Sequence, residues 1–162
     1  MKNSLRFILL FFAILQTTSL AAQERYTVKS GDPNGISKWY MGRQIAQVMS
    51  HYGIGWLERE EREQEENTAQ LLKNLAVQPG QVIADIGAGS GYHSSLLSKM
   101  VGNGKVYAVD MEPEMIAFLN ERIKREGKKN IIPVLSTEKT VSLPANSMDM
   151  MLLVDVYHEF SF

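Results

Sequence analysis

The sequence predicts an α/β fold: a parallel sheet with helices on both faces, running from about residue 77 to 162, behind an N-terminal helical segment. Three observations predict it. Short apolar runs rich in β-branched residues alternate with helical stripes from Gln81 to Tyr157. The links between them are short and punctuated by glycine or proline. A glycine-rich run, Asp85-Ile86-Gly87-Ala88-Gly89-Ser90-Gly91-Tyr92, leaves the first strand and opens the first helix. Strand and helix in alternation, joined by short links, imply parallel pairing through right-handed crossovers.

Residues 1–21 precede that fold and read as an export signal. Lys2 and Arg6 flank a basic start, Phe7–Leu15 is an unbroken apolar run, and Ser19 and Ala21 supply a small-x-small cleavage pattern before Ala22. The apolar run is too short for roughly 30 Å of hydrocarbon, so no stable membrane span is expected after cleavage. The expected location is periplasmic or secreted. Loss of Lys2 and Arg6 takes the formal charge from −1 to −3, which argues against a nucleic-acid partner. The chain has no cysteine, which excludes disulfides, thiolate metal sites and cysteine nucleophiles. His51, His93 and His158 show no metal-ligand spacing, and no metal is expected.

Residues 22–76 read as the helical segment. Gly31-Asp32-Pro33-Asn34-Gly35 is a turn. Met41, Ile45, Val48 and Met49 fall at helical spacing between Lys38 and Ser50, with Trp39, Tyr40, Tyr52 and Trp56 around them. Glu58–Glu66 holds six Glu and two Arg. It reads as the solvated start of a helix whose inner face is Thr68, Leu71, Leu72, Leu75 and Ala76, and no chemistry is assigned to it.

Pro79-Gly80 turns the chain into the first strand, Gln81–Ile86. Tyr92–Val101 carries a helical stripe at His93, Leu96, Leu97, Met100 and Val101, where His93 reads as a packing residue. Lys105–Asp110 is the second strand. Pro113 suits a first helical turn, and Gly127 suits the residue after a helix ending at Glu126. Ile131–Leu135 is the third strand. Met148–Tyr157, almost continuously apolar, reads as a fourth strand covered on both faces.

The glycine loop has two possible uses. A dinucleotide fingerprint needs glycine where this chain has Tyr92. Gly-x-Gly-x-Gly with Asp85 two residues ahead resembles instead the first motif of the class I, Rossmann-like methyltransferases that use S-adenosyl-L-methionine (SAM). Asp110, closing the second strand, extends the resemblance, as do the Pro79-Gly80 turn, Pro113-Glu114-Met115 and Leu143-Pro144. It covers Leu71 to Phe160. It implies a strand order of third-second-first-fourth, with Asp85, Gly87, Ala88, Gly89 and Gly91 around the methionine end of SAM. Asp110 would hold the ribose and Met111 would pack on adenine. Glu138 is the loose counterpart of the family's acidic residue for the adenine amino group.

The same family places the end of its fourth strand beside the reaction crevice. Asp155 and His158 stand there as a titratable pair with acid–base reach; alternatively Asp155 caps a turn and His158 packs. The implied function is methyl transfer to an acceptor, either a small molecule of the kind taken by quinone methyltransferases or a protein carboxylate. The wording from Gly89 to His93 is also similar to protein-L-isoaspartate methyltransferases. Two alternatives stay open: a SAM- or nucleoside-binding module without catalysis, and an NAD-dependent oxidoreductase. Family members continue for three further strands, so the domain is expected to be incomplete, with a missing C-terminal segment or a partner on the fourth strand's edge.

Overall fold

A computed structural model describes residues 25–162, so the export signal read at residues 1–21 lies outside the described residues. The segment predicted to be helical opens instead as an antiparallel sheet of β1 (Tyr26–Val28), β2 (Gly35–Tyr40) and β3 (Arg43–Ala46), with β2 in the middle. Met41 and Ile45 do lie a helical turn apart. However, Met41 and Gly42 both take left-handed conformations, with φ of 48° and 86°. Two consecutive positive φ values make the tight reversal that suits strand twist, and Tyr40 pairs with Arg43 across it. Ile36, Trp39, Tyr40 and Ile45 are residue types that favour the pleated form. The turn read at 31–35 is present: Asp32 Oδ1 accepts the Asn34 N–H at 2.8 Å.

Three short helices follow: α1 (Ile54–Leu57), α2 (Arg62–Glu66) and α3 (Thr68–Leu75). The single helix expected through the charge run is broken at Asn67, whose φ is 50°. Asparagine tolerates that conformation, so it ends α2, and its side chain then accepts the Gln70 N–H to cap α3.

The second sheet is built as expected from β4 (Val82–Ile86), β5 (Lys105–Asp110), β6 (Ile131–Leu135) and β7 (Met150–Leu152), crossed by α4 (Tyr92–Val101) and α5 (Pro113–Glu126). All pairings are parallel and the order is β6-β5-β4-β7, third-second-first-fourth within this sheet. The α/β class stands, with one difference in detail. β4, β5 and β6 step in one direction, and right-handed crossovers then put both helices on the same side. Leu97, Val101 and Leu119 of those helices close over Ile83, Val106, Ala108, Ile131 and Leu152. The opposite face, with Ala84, Ile86 and Val109, meets Val141, Leu143 and Met148 of the β6–β7 connection rather than a helix.

The fourth strand is shorter than predicted. Asp155 takes φ 53° and stops the extended run, and Tyr157–Glu159 forms a single 3-10 turn. Among the described residues β7 pairs with β4 alone, and Met151 is 52% exposed. One side of this apolar stretch is therefore open, where both were expected to be covered.

Candidate functional site

β4 delivers the glycine loop to the carboxyl edge of the sheet, the place where open parallel sheets bind ligands. The N–H groups of Gly87 and Ala88 both donate to the Val109 carbonyl, at 2.8 and 2.9 Å, so the loop curls over the end of β5. Gly87, Gly89 and Gly91 all have positive φ. Their missing side chains make room for protein as much as for ligand. A Cβ on Gly87 would meet Val156 at 2.3 Å, and one on Gly91 would meet Leu119 at 2.3 Å. Gly91 is buried at the start of α4 and does not line the cavity beside the loop. Its expected place against a ligand is corrected: it seats α4 on α5.

That cavity, about 400 Å³, is bounded by Asp85 to Gly89, Asp110, Met111, the Ser136–Val141 turn, Val154 to Val156 and the final residues from Glu159. Asp110 is the best-anchored acid in it. Its Oδ2 accepts the Gly89 N–H at 2.8 Å and its Oδ1 accepts the Glu112 N–H at 3.0 Å. An ionised carboxylate has about four acceptor positions, so Asp110 keeps capacity for a further donor. Burial raises the Asp110 pKa, and the N–H groups of Glu112, Gly89 and Met111 oppose that rise. Asp85 is fully buried and accepts the Ser94 hydroxyl at 2.7 Å. Burial pushes its pKa up to about 6 despite the bonds from Ser94. Met111 lines the same cavity, and Glu138 reaches it from the exposed Thr137–Thr140 turn.

At the end of β7 the structure divides the expected acid–base pair. Asp155 lines the cavity; His158 does not. The other carboxyl group of this stretch in the lining is that of Glu159, which the sequence reading passed over. It accepts the Met49 N–H at 3.2 Å. Burial, with a contribution from Asp110, pushes its pKa up to about 7. His158 Nε2 lies 4.0 Å from the Glu159 carboxylate.

The N-terminal segment closes the cavity. Ile36, Val48, Met49, Trp56 and Leu57 form its apolar wall, with Leu57 packed against the loop at Gly89. The charge run that carried no assigned chemistry grips the loop itself. Glu58 Oε1 accepts both the Ser90 hydroxyl and Arg122 Nη1, at 2.5 and 2.6 Å, while Arg122 Nη1 also donates to the Ser90 carbonyl. Arg62, expected in solvent, is only 5% exposed and lines the cavity. His93, also in the lining, is buried with no partner for Nε2 among the described residues, and burial lowers its pKa to about 4, keeping the imidazole neutral. No sequence signal separated Glu58 and Arg62 from an ordinary solvated helix face. Among the described residues, His51, Glu112 and Glu114 bring potential metal-ligand atoms together, but none lines the cavity, and His51 and Glu112 already pair at 2.9 Å.

Comparison with known proteins places this geometry. Residues 83–161 match the family model described as a methyltransferase domain. Protein-L-isoaspartate O-methyltransferase of Aeropyrum pernix is 35% identical over 79 residues, 48% of this chain and 30% of that protein. Its counterpart from Methanococcoides burtonii is 32% identical over 74 residues, 45% of this chain and 36% of that one. The chain thus spans about a third of the length of these curated relatives. The crystal structure of a SAM-dependent methyltransferase from Aquifex aeolicus superposes with a TM-score of 0.67 at 32% identity, covering 70% of this chain and 61% of that one. Coclaurine N-methyltransferase, solved with N-methylheliamine and S-adenosylhomocysteine, shares the fold at 23% identity and a TM-score of 0.50, over 58% of this chain and 28% of that one.

Proposed function

We propose that residues 83–161, which match a methyltransferase-domain model, form a class I, Rossmann-like SAM-dependent methyltransferase domain, and that this chain transfers a methyl group from SAM to a small acceptor held under its N-terminal segment. The carrying observation is Asp110: a carboxylate tethered through both oxygens to the glycine loop and the start of α5, with acceptor positions still free over the cavity. Those positions suit the paired hydroxyls of a ribose. Met111 would lie on adenine and Glu138 near its amino group. Asp85, Gly87, Ala88 and Gly89 would surround the methionine end.

Bound SAM supplies an activated methyl on a sulfonium, so the protein need not provide a nucleophile. The chain's own contribution is alignment and exclusion of water. Ile36, Val48, Met49, Trp56 and Leu57 present an apolar face to the acceptor, and orientation of this kind is worth several kcal/mol. Asp155 and Glu159 flank the same space. A carboxyl titrating near 7 can take a proton from an amine or hydroxyl as it is methylated. His158, outside the lining, would act only by way of Glu159.

A protein carboxylate, the group named in the isoaspartate relatives, is the second reading. Two acids at the acceptor end oppose a third negative group there, which is why a neutral or cationic small acceptor is placed first. The test is formation of S-adenosylhomocysteine from SAM, measured with small amines, phenols and an isoaspartyl peptide. Turnover confined to the peptide overturns the small-acceptor reading. Stabilisation by NAD and not by S-adenosylhomocysteine overturns the cofactor itself. We also propose export directed by residues 1–21; a secreted or periplasmic product that retains Met1 contradicts cleavage.

A further inference from the structure

We infer that Arg62, outside the matched methyltransferase segment, receives the carboxylate of the methionyl end of SAM. The inference rests on the cofactor reading above. It starts from an anomaly: in a run of six Glu and two Arg, one arginine is buried in the wall of the cavity. Burying a guanidinium is costly unless its donors are met. Arg62 Nε donates to Glu66 at 2.8 Å and Nη1 donates to the Leu57 carbonyl at 2.7 Å. The guanidinium lies over the Tyr92 ring, 4.4 Å from its centroid. Nη2 has no hydrogen-bond partner among the described residues.

Three contacts therefore hold the group in place in the wall of the cavity and leave Nη2 over. Its charge is only partly offset, because Glu66 is shared with Arg59, at 2.9 Å. A second orphan lies on the same wall: the buried His93 Nε2, close enough to feel the Arg62 charge. Asp85 feels that charge too. The wall thus presents an acid, a neutral imidazole and a fixed cation at the end of the cavity where the glycine loop begins. A free amino-acid end, with an ammonium and a carboxylate on one carbon, matches that arrangement. Arginine suits the carboxylate because its planar fork can span two oxygens.

The test compares two ligands that differ at that end. S-adenosylhomocysteine carries the amino-acid group; 5′-methylthioadenosine keeps the nucleoside and lacks it. Calorimetry on the full chain should show Arg62→Met weakening S-adenosylhomocysteine by about 10- to 100-fold, the loss expected for a charged hydrogen bond. Affinity for 5′-methylthioadenosine should change by less than about threefold, which also shows that the site is still folded. Arg62→Lys, which keeps the charge but cannot span two oxygens, should give a smaller loss with the same selectivity. Equal losses for both ligands would mean a purely structural role and overturn the assignment, as would undiminished binding of S-adenosylhomocysteine. If the unaltered chain binds neither ligand, the cofactor reading has failed and this inference with it.

Discussion

Gly91→Ala tests whether the last glycine of the loop serves packing rather than ligand approach. Two costs add. Gly91 sits at φ 79° and ψ 22°, where an L-residue loses about 1–2 kcal/mol. Its new Cβ would lie 2.3 Å from Leu119 Cδ2. A surface leucine would swing aside, but Leu119 is 1% exposed and packed in the core below β4 and β5. Overpacking of such a site costs about 1–3 kcal/mol, so the sum is about 2–5 kcal/mol. Gly127 supplies the control. It has φ 62° and nothing within 4 Å of where a Cβ would stand, so Gly127→Ala should carry the backbone cost alone. Urea unfolding followed by far-UV circular dichroism would read both. Gly91→Ala should lose at least about 1 kcal/mol more than Gly127→Ala, and Leu119→Ala added to it should cost less than the sum of the two single changes. Equal losses for the two glycine variants would refute the packing argument.

Three further outcomes follow from the site. Asp110→Ala should abolish the stabilisation given by S-adenosylhomocysteine, which for a ligand at a hundred times its dissociation constant is about 2.7 kcal/mol; a thermal midpoint that still rises by the full amount would remove Asp110 from the ribose site. Glu58→Ala strips partners from the buried Ser90 hydroxyl and from Arg122, and should cost about 1–3 kcal/mol in denaturant, with binding of S-adenosylhomocysteine weakened through the loosened loop. Glu159 has a folded pKa raised to about 7, so between about pH 4.5 and 7 the folded state binds more protons than the unfolded one. Its contribution therefore falls as pH rises through that window. Glu159→Gln should flatten that slope and leave the protein on the order of 1–3 kcal/mol more stable at pH 8. An unchanged pH profile would show that Glu159 titrates normally.

What could be read in advance divides by range along the chain. The loop from Asp85 to Tyr92 and the acid at Asp110 are written in contiguous residues, each at a strand end, so pattern alone located them. The hairpin at Met41-Gly42 was missed because Met41 and Ile45 are equally spaced for a helix. What decides between the two forms is a pair of positive φ values, one of them at a methionine that rarely adopts it. The end of β7 failed for a similar reason. Asp155 turns left-handed, and that rotation selects which of the next residues faces the cavity, bringing Glu159 in and leaving His158 out. Arg62 was illegible for a different reason. Its burial depends on Tyr92, thirty positions away, and composition there describes a solvated face.

The two sides of the cavity come from different stretches of chain, and this bears on how far the relatives can speak for the acceptor. Of the residues proposed to hold SAM, Asp85 to Glu138 lie inside the matched segment and Arg62 lies outside it. The apolar wall proposed to face the acceptor is Ile36, Val48, Met49, Trp56 and Leu57, all of it outside. The match therefore bears on the cofactor. An acceptor is discriminated by the groups it touches in the transition state, and here those groups are divided: the apolar wall lies outside the methyltransferase-domain match, whereas Asp155 and Glu159 lie inside it. The charge network of Glu58, Ser90 and Arg122 joins the two sides, so the acceptor wall is tied mechanically to the loop that would hold the cofactor.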